Sequence, residues 1–431
     1  MTSIDRSEST PSYGDDGRFG AYQASGLPSR GRIAWVARTE SPVLASPTLA
    51  GDMLLVATAG STEVGGALHA FDARTGAERW RHMYRDRTEE VSEDDDDDWL
   101  VDVDDDIPGV IAAPAVWGPW VFVEEWRTSR WIHVHDLHSG EIVHTIKRGG
   151  TPTVVGDLLL IHEAEAGARA VRLPELTEVW CGARFESGVE SCNWLRACPA
   201  VGPDGMAYAA LGAGWGIEQS GIVGFNPATG RVLFEQNGWE ETWFAFAHPV
   251  VADGLVWTTE GDAVVGMDPR TGERRRVHRP MAGMTGERGP AIADGMVFVL
   301  DRPRPGPFTD DKHLQAIDSV TGDLLWSVPL TPERPFESLQ VVGSPVVAGG
   351  TVYCADASGV VRAFGTGSGE ARWSVETGHP IDSVFHHVLL GEQGEKWFSE
   401  EAQAILPGEG MLYVRTGAGV VALRDDGERP S

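Results

Sequence analysis

The sequence predicts an all-β protein: an eight-bladed β-propeller of four-stranded antiparallel blades, closed by its own N-terminal strand. Three observations carry that expectation. One unit recurs along the 431 residues, each copy alternates apolar and polar residues with the period of a strand, and the last copy lacks a strand that the start of the chain can supply.

Each unit begins with a small residue and Pro, followed by two or three apolar residues and a Gly turn. Two alternating strands come next, then D-x-x-T-G and an outer strand carrying Trp. Clear copies are SPTLAGDMLLVAT with GALHAFDARTGAERWRHM from Ser46, and SPVVAGGTVYCADASGVVRAFGTGSGEARWSV from Ser344. Further copies start at Cys198, His248 and Gly289, and degenerate ones at Ala113 and Thr151. Period-2 alternation between Gly and Asp-x-x-Thr-Gly turns means four short strands per unit, which is the composition of a propeller blade.

The eighth unit, ILPGEGMLYVRTGAGVVALRDDG, stops after its third strand. Residues 31–38, GRIAWVAR, look like the missing outer strand, with Trp35 matching Trp80, Trp180, Trp326 and Trp373. Pairing the two ends removes an open seam with exposed strand edges. The expected organisation is a flexible tail or strap over residues 1–30, one propeller over 31–424 in which 31–39 complete the last blade, and a C-terminal tail over 425–431. The five tryptophans are read as packing between blades, and His144 and Phe234 as packing substitutes at the same position.

The A-x-D-x-x-T-G-x-x-x-W pattern, as in AFDARTGAERW from Ala70, resembles the PQQ-like repeat propellers, and the resemblance runs from about Gly31 to Leu423. It implies the fold and leaves the function open. Quinoprotein dehydrogenases of this type stack PQQ between a Trp and a vicinal disulfide, beside a calcium ion and a catalytic Asp. None of the four cysteines (Cys181, Cys192, Cys198, Cys354) adjoins another, and no PQQ or calcium residues match one by one. The expectation is a non-quinoprotein member without a cofactor. The outer-membrane assembly lipoproteins of the family carry a signal and a lipidated Cys, which this sequence does not display.

Composition sets further expectations. A net charge of −29 opposes nucleic-acid binding over most of the surface. No apolar stretch is long enough for a spanning helix, and the N-terminus has no basic start followed by an apolar core, so the reading is cytoplasmic with no membrane contact. The acidic run over 94–109 fails as an EF-hand, with Ile107 where Gly is needed and Ala113 where a carboxylate is needed, so no metal site is expected.

Function is expected on one face. The connections between blades, and between second and third strands, are long and emerge together on what we call the first face. The turns on the second face are minimal. The first-face connections hold Trp99, Trp126, Trp194, Trp215, Trp239, Trp243 and Trp397, with Arg196, His386 and His387 among them. At the entry to the inner strands, where small residues prevail, His248, Arg288 and Gln403 stand out as candidates to line a central funnel.

Two readings follow. One is a cofactor-independent acid/base enzyme of the cyclase, isomerase, lyase or hydrolase type. It would use His248, His386, His387 and Arg288 for chemistry, and Trp194, Trp215, Trp239, Trp243, Arg196 and Gln403 to hold a small aromatic or apolar substrate or a peptide. The other is a scaffold that holds a protein partner on the same Trp-rich face.

Overall fold

The computed structural model describes residues 9–10, 21–59, 65–84, 112–125, 131–147, 149–163, 167–183, 199–211, 221–237, 249–260, 263–279, 289–301, 312–330, 341–381 and 403–425. Within them, eight four-stranded antiparallel blades follow one another in a ring. Blade 1 comprises an inner strand Thr48–Ala50, a second strand Met53–Thr58, a third strand Ala67–Asp72 and an outer strand Glu78–Met83. Every residue of its second strand is buried, because both faces meet neighbouring blades, whereas the outer strand is half-exposed.

Blades 2 to 7 repeat this order, with inner strands Ala115–Trp117, Thr151–Val155, Ala200–Val201, Val250–Ala252, Ala291–Ala293 and Val341–Ala348. Blade 8 is Ile405–Gly408, Met411–Thr416 and Gly419–Arg424, and its outer strand is Arg32–Arg38 from the other end of the chain. The closure read from the sequence is therefore observed.

The second-face turns explain the Asp-x-x-Thr-Gly pattern. Asp72 Oδ1 accepts from the backbone N–H of Thr75 (2.9 Å) and from its hydroxyl (2.8 Å), and Asp136, Asp268 and Asp318 cap the same turn in their blades. The turn Gly adopts a positive φ (+72° at Gly76) and leaves room for the indole of the preceding blade: a Cβ on Gly76 would lie 2.5 Å from Trp35. Gly140 faces Trp80, Gly230 faces Trp180 and Gly369 faces Trp326 in the same manner. Three of these indoles also cross the junction by a hydrogen bond, from Trp80 Nε1 to Leu137 O (2.9 Å), Trp180 to Pro227 O (2.8 Å) and Trp326 to Thr366 O (2.8 Å).

Three junctions depart from the Trp pattern. Phe234 packs on Gly272 as expected, but His144 is exposed and does not pack. The turn it would face carries Leu176 (φ +53°) in place of Gly, and that side chain fills the space an indole needs. Ile146, two residues further along the same face, packs with Leu173 and Leu176 instead. In blade 5 the Trp register is held by Arg276, opposite Gly266, and docking passes to His278, whose ring lies over Gly322 and against Trp257 (5.9 Å between centroids).

Candidate functional site

The inner strands converge on the central channel, each running from the first face to the second. Blades 1 and 7 carry an additional strand on that inward edge. Ser9–Thr10 pairs antiparallel with Thr48–Ala50, in the register Ser9↔Ala50 and Thr10↔Leu49. Ala21–Tyr22 pairs parallel with Val341–Ala348, as Ala21↔Val347 and Tyr22↔Ala348. Tyr22 is buried in a cluster with Val346, Ala348, Ile405 and Leu406. Residues inside the expected N-terminal tail thus occupy the channel wall. From there the chain leaves over the second face: Gly410 N–H donates to Ser25 O (2.8 Å) and the Ser25 hydroxyl to Glu409.

Gln403, at the entry to the inner strand of blade 8, is 1 % exposed. Its N–H donates to Ser46 Oγ (2.7 Å) on blade 1, and its carbonyl accepts from Arg415 Nε (3.2 Å). Both atoms of its carboxamide are buried without a hydrogen-bond partner. Arg415 is itself buried and also donates to Val43 O (3.1 Å), tying blade 8 to the approach of blade 1. Sequence reading missed Arg415; the signal was a charge inside the apolar strand MLYVRT.

A second feature missed in the sequence is a carboxylate closing the second strand at the first face in five blades: Glu125, Glu163, Glu260, Asp301 and Asp356. Glu260 holds Arg274 through both carboxylate oxygens (3.0 and 3.1 Å), Asp356 holds Arg362 (2.5 Å), and Glu125 accepts from or donates to His133 Nε2 at 2.7 Å according to protonation. These buried pairs fix the strand ends from which the first-face connections spring.

Beside Glu125, at the junction of blades 1 and 2, lies a cluster of rings: His82, Tyr84, His133 and His135. His135 Nδ1 meets Gly140 O (2.9 Å), which only accepts, so that nitrogen carries the proton and Nε2 accepts from Tyr84 O–H (2.7 Å). Burial pushes His135 down to about 4 and Tyr84 well above its usual range, which keeps both neutral. His133 uses its other nitrogen on Thr145 Oγ1 (3.1 Å). The ring nitrogens of His133 and His135 are all spent within the protein, so the two residues act in packing.

Of the candidates named from the sequence, His248, His386, His387, Arg288, Trp194, Trp215, Trp239, Trp243 and Arg196 lie outside the described residues. The strand bounds fix their connections. Trp239, Trp243 and His248 fall between the outer strand of blade 4, Val232–Asn237, and the inner strand of blade 5, and Arg288 falls in the next connection. His386 and His387 precede Gln403 in the connection to blade 8.

Ring, closure and turn chemistry together define a closed eight-bladed propeller of the PQQ repeat type. The chain belongs to the PQQ_2 family, described as outer membrane protein assembly factor BamB, whose model matches residues 13–180 and 218–386. Its fold is similar to that of the quinohemoprotein alcohol dehydrogenase from Comamonas testosteroni, at 14 % identity and a TM-score of 0.68 over 100 % of this chain and 82 % of that one. A europium-containing methanol dehydrogenase matches at 13 % identity and a TM-score of 0.60 over 84 % of each chain. Among curated proteins, the serine/threonine-protein kinase AfsK of Streptomyces griseus is 27 % identical over 162 residues, 36 % of this chain; the match spans only 19 % of the kinase.

Proposed function

We propose that the protein is an interaction module that holds a protein partner on its first face, with the loop tryptophans as anchors. The observation that carries this reading is the occupied channel wall. Two of the eight inner edges that would border a funnel for a small substrate, those of blades 1 and 7, are paired with the chain's own residues 9–10 and 21–22. The match to a stretch of a serine/threonine-protein kinase supports it, since a similar sequence then occurs as one part of a larger protein. Anchoring by Trp239, Trp243, Trp194 and Trp215 follows from the size and rigidity of indoles at interfaces.

A photo-crosslinking amino acid tests this reading, placed in the connection that carries Trp239 and Trp243 and at Arg74 or Asp157 on the second face. With the first-face probe at Glu241, which leaves both indoles in place, adducts with one partner, formed in cells from the first-face position only and lost when Trp239→Ala and Trp243→Ala are added to the same chain, are the expected result. Adducts of equal yield from both faces would overturn it.

A second reading, acid/base chemistry on a small ligand by His248 and Arg288, is favoured by the unpartnered carboxamide of Gln403. It requires that a ligand raise the melting temperature of the native protein and not that of Gln403→Ala.

A further inference from the structure

The strand laid along blade 7 is bound differently from every strand inside a blade. Ala21–Tyr22 pairs parallel with Val341–Ala348 through two residues, whereas the blade strands pair antiparallel, through as many as six partners in blade 1. Short parallel pairing is the weaker arrangement. The Tyr22 side chain adds to this pairing: it is 6 % exposed and belongs to the apolar cluster that also contains Val346 and Ala348 of blade 7 and Ile405 and Leu406 of blade 8. In sequence it follows Gly20 and Ala21, both small, and precedes Gln23 and Ala24.

Ring closure does not depend on this segment. Closure rests on Arg32–Arg38, anchored by Ser29 N–H (2.7 Å) and Arg30 N–H (3.0 Å) to Asp425 Oδ1 and by Gly410 N–H to Ser25 O. Release of residues 21–22 therefore leaves the last blade intact. The inner edge of blade 1 takes up Ser9–Thr10 in the opposite direction, so the channel wall accepts extended backbone in either polarity.

We infer that the inward edge of blade 7 is a seat for an extended polypeptide with an aromatic side chain preceded by a small residue, filled in cis by Ala21–Tyr22 and exchangeable with such a segment of a partner protein. Backbone pairing with Val347 and Ala348 provides the affinity, and the pocket for the ring selects the aromatic residue. In this arrangement the N-terminal segment is a resident competitor whose displacement admits the partner strand. The seat lies on the channel wall and does not rest on the first-face reading above.

The test is a titration of a fluorescein-labelled peptide of residues 18–26 against the full-length protein and its full-length Tyr22→Ala variant, followed by anisotropy. The expected result is binding to the variant at least tenfold tighter than to the parent, and loss of at least tenfold when the peptide itself carries Tyr22→Ala. Equal binding to both chains, or equal binding of the two peptides, overturns the seat. So does failure of the Tyr22→Ala chain to fold, which would make Tyr22 permanent core. On the unaltered chain, hydrogen exchange gives an independent answer. The amides of 21–23 should exchange at least tenfold faster than those of 352–355, and a common rate, set by global unfolding, overturns the exchange. Because the assay reads blade 7 alone, its failure leaves the first-face reading untouched.

Discussion

The turn between third and outer strand is made of continuous chain in blade 1 and of two chain ends in blade 8. In blade 1, Asp72 caps the N–H groups of Arg74 and Thr75, and Gly76 at φ +72° lies under Trp35. In blade 8, Asp425 caps the N–H groups of Ser29 and Arg30, and Gly31 at φ +56° lies under Trp373, whose Nε1 donates to Pro28 O (3.0 Å). A carboxylate, a left-handed Gly and an indole suffice to build the turn, and peptide continuity is not among the requirements. The broken turn is in one respect better served, for Trp35 Nε1, over the continuous one, finds no acceptor.

Removal of the seam should have the largest effect. Deleting residues 1–40 takes away the outer strand of blade 8 and Trp35, and the protein should lose its cooperative melting transition in calorimetry. Deleting 1–24 should leave that transition within a few degrees of the parent. A parent-like melt for the longer deletion would show that the seam bears no load.

Truncation of the indoles is the next largest effect. Trp326→Ala and Trp373→Ala should each cost about 3–5 kcal/mol in denaturant unfolding, through lost burial and a cavity. If the seam is as sound as a continuous junction, the two costs agree within about 1 kcal/mol, which is the reproducibility expected of such comparisons. A Trp373→Ala cost far below that of Trp326→Ala would mark the seam as the weaker junction.

The junction of blades 1 and 2 should respond to acid. The folded protein holds His135 down at about 4, below the ordinary value of 6.5, so between those values the unfolded chain binds the proton more readily. The stability from neutral His135 is complete above pH 6.5 and is lost as pH falls toward 4, by at most about 3 kcal/mol. Urea titrations at pH 7.5 and pH 4.5 should show this loss in the parent and a smaller one in His135→Asn. The smallest effect is expected at the cap of the seam, where Asp425→Ala should cost about 1 kcal/mol for two backbone hydrogen bonds returned to water.

The ring, the blade boundaries and the closing strand were legible because each rests on a local rule repeated many times: period-2 alternation, Asp-x-x-Thr-Gly, and Trp four residues beyond the Gly. Where the rule shifts along a face, the sequence misleads. His278 replaces the indole from two positions past the expected one, and Ile146 displaces His144 because Leu176 has taken the place of Gly. The pairing of Ala21–Tyr22 with blade 7 could not be read, since two residues carry no periodicity. The carboxylates ending the second strands were visible as a column, but their meaning depends on partners such as Arg274 on another strand. The first-face candidates sit in insertions that belong to no repeat, so no comparison among blades informs them.

The seam also orders events in time. Arg32–Arg38 leaves the ribosome before any blade is made, yet its partner Gly419–Arg424 follows all seven preceding blades. Throughout synthesis seven blades can assemble in turn while the strand that completes the eighth waits with its edge bare. The ring shuts only once Gly419–Arg424 has emerged, across a loop that encloses every other blade. Whatever is to lie along the inner walls of blades 1 and 7 must be laid there before that moment or enter afterwards through an already closed circle.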